Sequence, residues 1–128
     1  MAKRVIGIGG IFFKSENQTA ARAWYAKHLG IESETWGATF DWRRAENPDA
    51  KTFTAWSPFV KETTYFAPSE KQFMINYQVE NLLELLPILR SEGVHVFDEI
   101  EESEFGKFAW IMDLEGNKIE LWQPPDIS

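Results

Sequence analysis

One carboxylate in this sequence stands where chemistry is least expected. The stretch NKIELWQPP, residues 117–125, reads as a closing β-strand, yet it places Glu120 between Ile119 and Leu121. A carboxylate in an apolar strand has a small set of uses. It can accept structural hydrogen bonds, here from Asn76, Gln78 or a tyrosine hydroxyl. It can meet a donor or a positive charge on a ligand, or it can ligate a metal ion. Burial raises a glutamate pKa, which also suits proton abstraction beside a carbonyl, although the sequence presents no accompanying electrophile.

Other reactive types are few. There is no Cys, which excludes disulfides and thiol chemistry. His28 closes a helical segment, where a favourable contact with the helix C-terminus accounts for it. His95 opens a strand after Gly93-Val94, away from Glu120. The chain has no G-x-S-x-G, no H-E-x-x-H and no phosphate loop, and GIGG at 7–10 lacks dinucleotide-binding spacing.

The elements that would hold Glu120 are written twice. GGIFFKSEN (9–17) aligns with FMINYQVEN (73–81) at an offset of 64, and HLG (28–30) with SEG (91–93) at 63. FTAWSPF (53–59) aligns with IELWQPP (119–125) at 66. Three matches in one order imply two copies of one unit of roughly 60 residues. In the first copy Asn17 is a candidate N-cap, and Ala21, Trp24, Tyr25 and Leu29 share a helix face that Gly30 ends. In the second, Leu82, Leu85, Leu86 and Leu89 share a face, Asn81 with Glu84 caps it, and Gly93 ends it. Pro87 inside that helix costs about 3 kcal/mol, which predicts a later start or a kink. Strands are expected near 34–37, 39–44 and 52–57, then near 94–100, 107–113 and 117–122. DLEGN (113–117) is read as a turn.

The fold class is therefore α+β, with two tandem β-α-β-β-β modules. Module one covers about residues 1–58, a linker about 59–72 and module two about 73–128, in a single domain.

With AWYAKHLGI (23–31) in the first module and DLEGNKIELWQ (113–123) closing the second, the chain resembles the vicinal oxygen chelate superfamily. This group holds glyoxalases, bleomycin-resistance proteins and extradiol dioxygenases. The resemblance implies a half-open barrel around a ligand cavity, and frequent dimers. It also implies four metal-ligand positions, two per module, filled by His or Glu. Glu120 matches the last. Ungapped alignment puts the others at Gly10, Thr54 and Met74. Only one of the four then suits a hard or borderline cation. A divalent metal is thus disfavoured, and no cofactor is expected.

Alternation along these strands gives the expected pocket. Phe12 and Lys14 follow Gly10. Trp56 follows Thr54, Asn76 and Gln78 follow Met74, and Trp122 follows Glu120. Glu120 is the tentative catalytic or anchoring group. The expected function is small-molecule binding of the bleomycin-resistance kind. The alternative is a metal-dependent isomerase or lyase like lactoylglutathione lyase.

Bulk properties fit a single domain with a core. The 128 residues are 44% hydrophobic and 15% aromatic, with six Trp. The net charge of −7 argues against nucleic acid and favours cationic ligands. The acidic stretch DEIEESE (98–104) is expected as a solvated edge strand or loop. No apolar run reaches membrane-spanning length, and the basic start is too short and Gly-rich for a secretory signal. The expected setting is cytoplasmic, as a homodimer.

Overall fold

A computed structural model describes residues 4–125; the first three residues of the basic start and 126–128 lie outside it. The elements run β1 (Val5–Ser15), α1 (Gln18–Leu29), β2 (Ala38–Arg44), β3 (Asn47–Val60), β4 (Phe73–Val79), α2 (Leu82–Ser91), β5 (Val96–Ser103), β6 (Gly106–Met112) and β7 (Lys118–Gln123). The seven strands form one curved sheet in the order β2-β3-β1-β4-β7-β6-β5, and it does not close. The α+β fold of two related modules is thus present. The segment near 34–37 is not a strand, so module one has one strand fewer than expected. There Gly37 sits at φ 141°, and Glu34 and Gly37 exchange backbone hydrogen bonds in a turn.

The helix signals act as their chemistry dictates. Asn17 Oδ1 accepts from Ala20 N at 3.0 Å, and Gly30 takes the left-handed conformation that ends α1. Asn81 Oδ1 accepts from Glu84 N, while Asn81 Nδ2 donates to Glu84 Oε2. With this cap in place α2 starts at Leu82 and runs through Pro87, so the later start is corrected. Proline removes the donor for the Leu83 carbonyl, and Leu83 lies on the exposed side.

The modules join through β1 and β4, which pair antiparallel, with Gly10 opposite Asn76. Each then has a parallel partner. Gly10 faces Ala55 across β1–β3, and Asn76 faces Glu120 across β4–β7. Parallel pairing needs a long crossover, which each module's helix supplies.

One sheet face carries the helices. Leu82, Leu85 and Leu86 of α2 pack with Val79, Ala109 and Leu121, and Tyr25 of α1 packs on Trp56 with ring centroids 4.9 Å apart. The other face carries a second buried cluster of Phe66, Met74 and Trp110. Phe66 comes from the inter-module linker, which folds over this end of the sheet. β5 is an edge strand, and its acidic side chains are exposed. Charge on an edge discourages pairing with another chain. No helix of the described residues is long and apolar enough to cross a membrane.

Candidate functional site

The DLEGN turn presents β7 to its neighbours. Asp113 Oδ1 accepts from Glu115 N at 2.8 Å and Asn117 N at 2.9 Å, and its Oδ2 accepts from Asn117 Nδ2. The most family-like motif is thus a turn cap. These bonds, led by that from the Asn117 side chain, hold the Asp113 carboxyl below its ordinary pKa.

Alternation turns Glu120 onto the helix-free face, where it is 3% exposed. Its three partners there are neutral donors. Asn76 Nδ2 donates to Oε1 at 2.6 Å, Trp110 Nε1 donates to Oε2 at 3.0 Å, and the Tyr65 hydroxyl donates to Oε2. Asn76 and a tyrosine were expected as partners, whereas Gln78 was expected and is engaged elsewhere. Burial raises the Glu120 pKa, and the three donors offset this only in part. Burial, then the negative charge of Glu120, pushes the Tyr65 phenol well above its ordinary value. Tyr65 therefore stays a proton donor.

Beside Glu120 opens a cavity of about 420 Å³ whose exposed lining is almost wholly apolar. Gly9, Asn76 and Glu120 line it, with Thr39 and Ala55 from β2 and β3. Six aromatic residues complete the walls: Phe12, Trp36, Phe53, Phe105, Phe108 and Trp122. Phe108 and Trp122 lie parallel within 3°, with centroids 5.8 Å apart, and Phe53 tilts against Trp122 at 5.4 Å. Asn76 Oδ1 is buried and unpartnered. It rests against Gly9, where an added Cβ would land on it and force Asn76 to shift.

Of the expected pocket residues, Phe12, Asn76, Glu120 and Trp122 line this cavity. The other expected pocket residues do not line this cavity. Thr54 and Trp56 point to the helix-bearing face: Thr54 Oγ1 accepts from Trp42 Nε1 at 2.8 Å, and Trp56 packs on Phe13 and Tyr25. Met74 is fully buried beyond the cavity, with Phe66 and Trp110. Gln78 accepts from Thr52 Oγ1 and donates to the Phe53 carbonyl, which ties β4 to β3. Lys14 holds its ammonium 5.8 Å from the Phe66 ring centroid.

The four positions that share one level of the sheet are therefore Gly10, Ala55, Asn76 and Glu120, not Gly10, Thr54, Met74 and Glu120. Glycine and alanine offer no ligating atom, and Asn76 offers at most a neutral carbonyl oxygen. This set does not fit the four-ligand metal site that the resemblance implies. Among the described residues no group of three or more His, Cys, Asp or Glu gathers to hold a metal. His28 tilts against Trp24 and His95 meets Phe97 edge-on, away from this level.

Tyr65, Trp110, Phe53, Phe108, Trp36 and Phe105 were missed. Phe108 and Trp110 alternate along 106–112, a signal available in the sequence. Tyr65 lies in an irregular linker, where no periodicity applies.

No family model matches the chain, and no curated protein matches it. Solved structures do. A methylmalonyl-CoA epimerase in complex with methylmalonyl-CoA and ammonium has TM-score 0.68 at 15% identity, over 97% of this chain and 98% of that one. A methylmalonyl-CoA epimerase from Mycobacterium tuberculosis has TM-score 0.61 at 16% identity, covering 98% and 93%. A structure named as NAD-dependent benzaldehyde dehydrogenase from Legionella pneumophila has TM-score 0.58 at 14% identity, covering 91% and 98%. At such identities the likeness establishes a shared fold, of the glyoxalase and bleomycin-resistance type. Unlike activities named on one fold show that function must be argued from the site.

Proposed function

We propose that this protein binds a small, flat molecule between the aromatic walls, with Glu120 receiving its hydrogen-bond donor or positive charge. One observation carries this reading: a buried carboxylate whose partners are three neutral donors sits at a cavity walled by six aromatic rings. Aromatic faces attract cations, and a desolvated carboxylate gains most from a charged partner. A thermal-shift series of flat aromatic compounds, neutral and cationic, tests it. Cationic members should raise Tm, and a flat response across the series would contradict the proposal.

A proton-transfer enzyme is the second reading, favoured by the raised pKa of Glu120 and by the epimerases of like fold. A two-base epimerisation needs a second acid–base group opposite the first. The sheet counterpart of Glu120 is Ala55, so binding remains the preferred function. Deuterium uptake at C2 of methylmalonyl-CoA in heavy water, lost in Glu120→Gln, would reverse this preference. A resident divalent metal and the lactoylglutathione lyase chemistry that depends on one are disfavoured by the residues at the sheet level of Glu120. The cytoplasmic homodimer belongs to the same proposal, and sedimentation and cell fractionation test it.

A further inference from the structure

The aromatic cavity adjoins a wider one of about 870 Å³, and the two share Phe53, Phe105 and Trp122 in their walls. This second cavity has charged side chains at its mouth. Arg43 and Lys51 line it and stand directly opposite each other across the β2–β3 pair. Like charges in that position repel and cost stability. Among the described residues neither cation forms an ion pair with a carboxylate, and Arg43 Nη1 donates only to the Pro48 carbonyl, at 2.9 Å. Asp41 and Glu104 also line the mouth. Asp41 lies two residues along β2 from Arg43, opposite Phe53, and Glu104 sits across the opening near the β5–β6 turn.

We propose that the Arg43–Lys51 pair is an anion subsite for one end of the ligand: a carboxylate, sulfonate or phosphate carried on the flat body that the inner cavity holds. This rests on the binding reading above and extends it to the ligand's polarity. The inner end meets the Glu120 carboxylate, which repels an anion. The outer end meets two adjacent cations whose mutual repulsion an anion relieves. A ligand therefore enters with its donor or positive end inward and its anionic end outward. The three shared aromatic residues stand between the two ends.

A pair of fluorescent probes tests this. One is 2-(p-toluidino)naphthalene-6-sulfonate; the other is N-(p-tolyl)-2-naphthylamine, the same arylamine without the sulfonate. Both are titrated against the intact protein and against Arg43→Gln, Lys51→Gln and Phe53→Ala. All three substitutions lie on exposed positions, and circular dichroism checks that each variant folds. For the sulfonate probe, loss of either cation should weaken binding about threefold to fivefold, and added salt should abolish the difference. The uncharged probe should be unaffected by either. Phe53→Ala should weaken both probes. If Phe53→Ala weakens both but the cation variants treat the two probes alike, the subsite is overturned and the cavity stands. If neither probe binds, or Phe53→Ala affects neither, the cavity reading fails and the subsite falls with it.

Discussion

Asn76 and Glu120 stand directly opposite each other in β4 and β7, joined by a 2.6 Å hydrogen bond from Asn76 Nδ2 to Glu120 Oε1. This pair lies within the second module, with Asn76 on the strand that meets the first. It explains why an apolar strand carries a carboxylate: the neighbouring strands and the linker supply its donors. It also explains why Glu120→Gln is a mild change. The glutamine oxygen can still accept from Tyr65 and Trp110. Its amide then faces Asn76, which can turn its own unpartnered oxygen inward.

The first prediction concerns pH. Burial raises the folded-state pKa of Glu120 above its unfolded value. Its contribution to stability is thus fully present below the unfolded value, about 4.3, and is lost as pH rises through the folded value. Urea unfolding from pH 4 upward should show wild-type stability falling relative to Glu120→Gln. Parallel curves for the two proteins would contradict the assignment.

Tyr65→Phe removes the hydroxyl that donates to Glu120 Oε2. A hydrogen bond to a charged group contributes about 1.5–3 kcal/mol. Unfolding at neutral pH should show a loss of that order, and at pH 4, where Glu120 is protonated, a smaller one. An equal loss at both pH values would mean that Tyr65 acts by packing alone.

Gly9→Ala places a methyl on Asn76 Oδ1 and close to Gln78 and Trp122. Overpacking of this kind costs about 1–3 kcal/mol. Urea unfolding should show that loss, together with weaker binding of any ligand that reaches Glu120. A wild-type midpoint would show that Asn76 is free to move.

The fourth prediction is that the purified protein carries no stoichiometric zinc, nickel, manganese or iron at Gly10, Ala55, Asn76 and Glu120. A chelator should leave Tm unchanged. One ion per chain by elemental analysis, lost in Glu120→Ala, would contradict this.

The sequence carried the module repeat, both helices with their caps, the closing turn and the inward face of Glu120. Caps and turns depend on a few local residues, so their signals are complete within short windows. The pocket was legible only in part, because a one-residue slip turns a strand over. Trp56 matches Trp122 in sequence, yet Trp56 packs under α1 while Trp122 walls the cavity. The sheet pairs Ala55 with Gly10 and Glu120 with Asn76, which moves Thr54 and Trp56 to the far face. β1 also has register shifts between Val5 and Gly7 and between Ile8 and Gly10, which an ungapped reading does not show. Tyr65 and Phe66 reach the site from a linker with no period, held by Lys118 Nζ donating to the Tyr65 carbonyl at 2.9 Å.

The central claim is that Glu120 is a charged anchor in an aromatic binding cavity, and a matched pair of ligands tests it most directly. Benzamidine and benzamide share a flat ring and differ in charge. Their affinities for wild type and Glu120→Gln can be measured by calorimetry. A desolvated hydrogen bond to a charged group contributes about 1.5–3 kcal/mol, and each 1.4 kcal/mol is tenfold. Glu120→Gln should therefore weaken benzamidine by about ten- to a hundredfold and change benzamide little. Equal effects on both ligands, or none on benzamidine, would contradict the account.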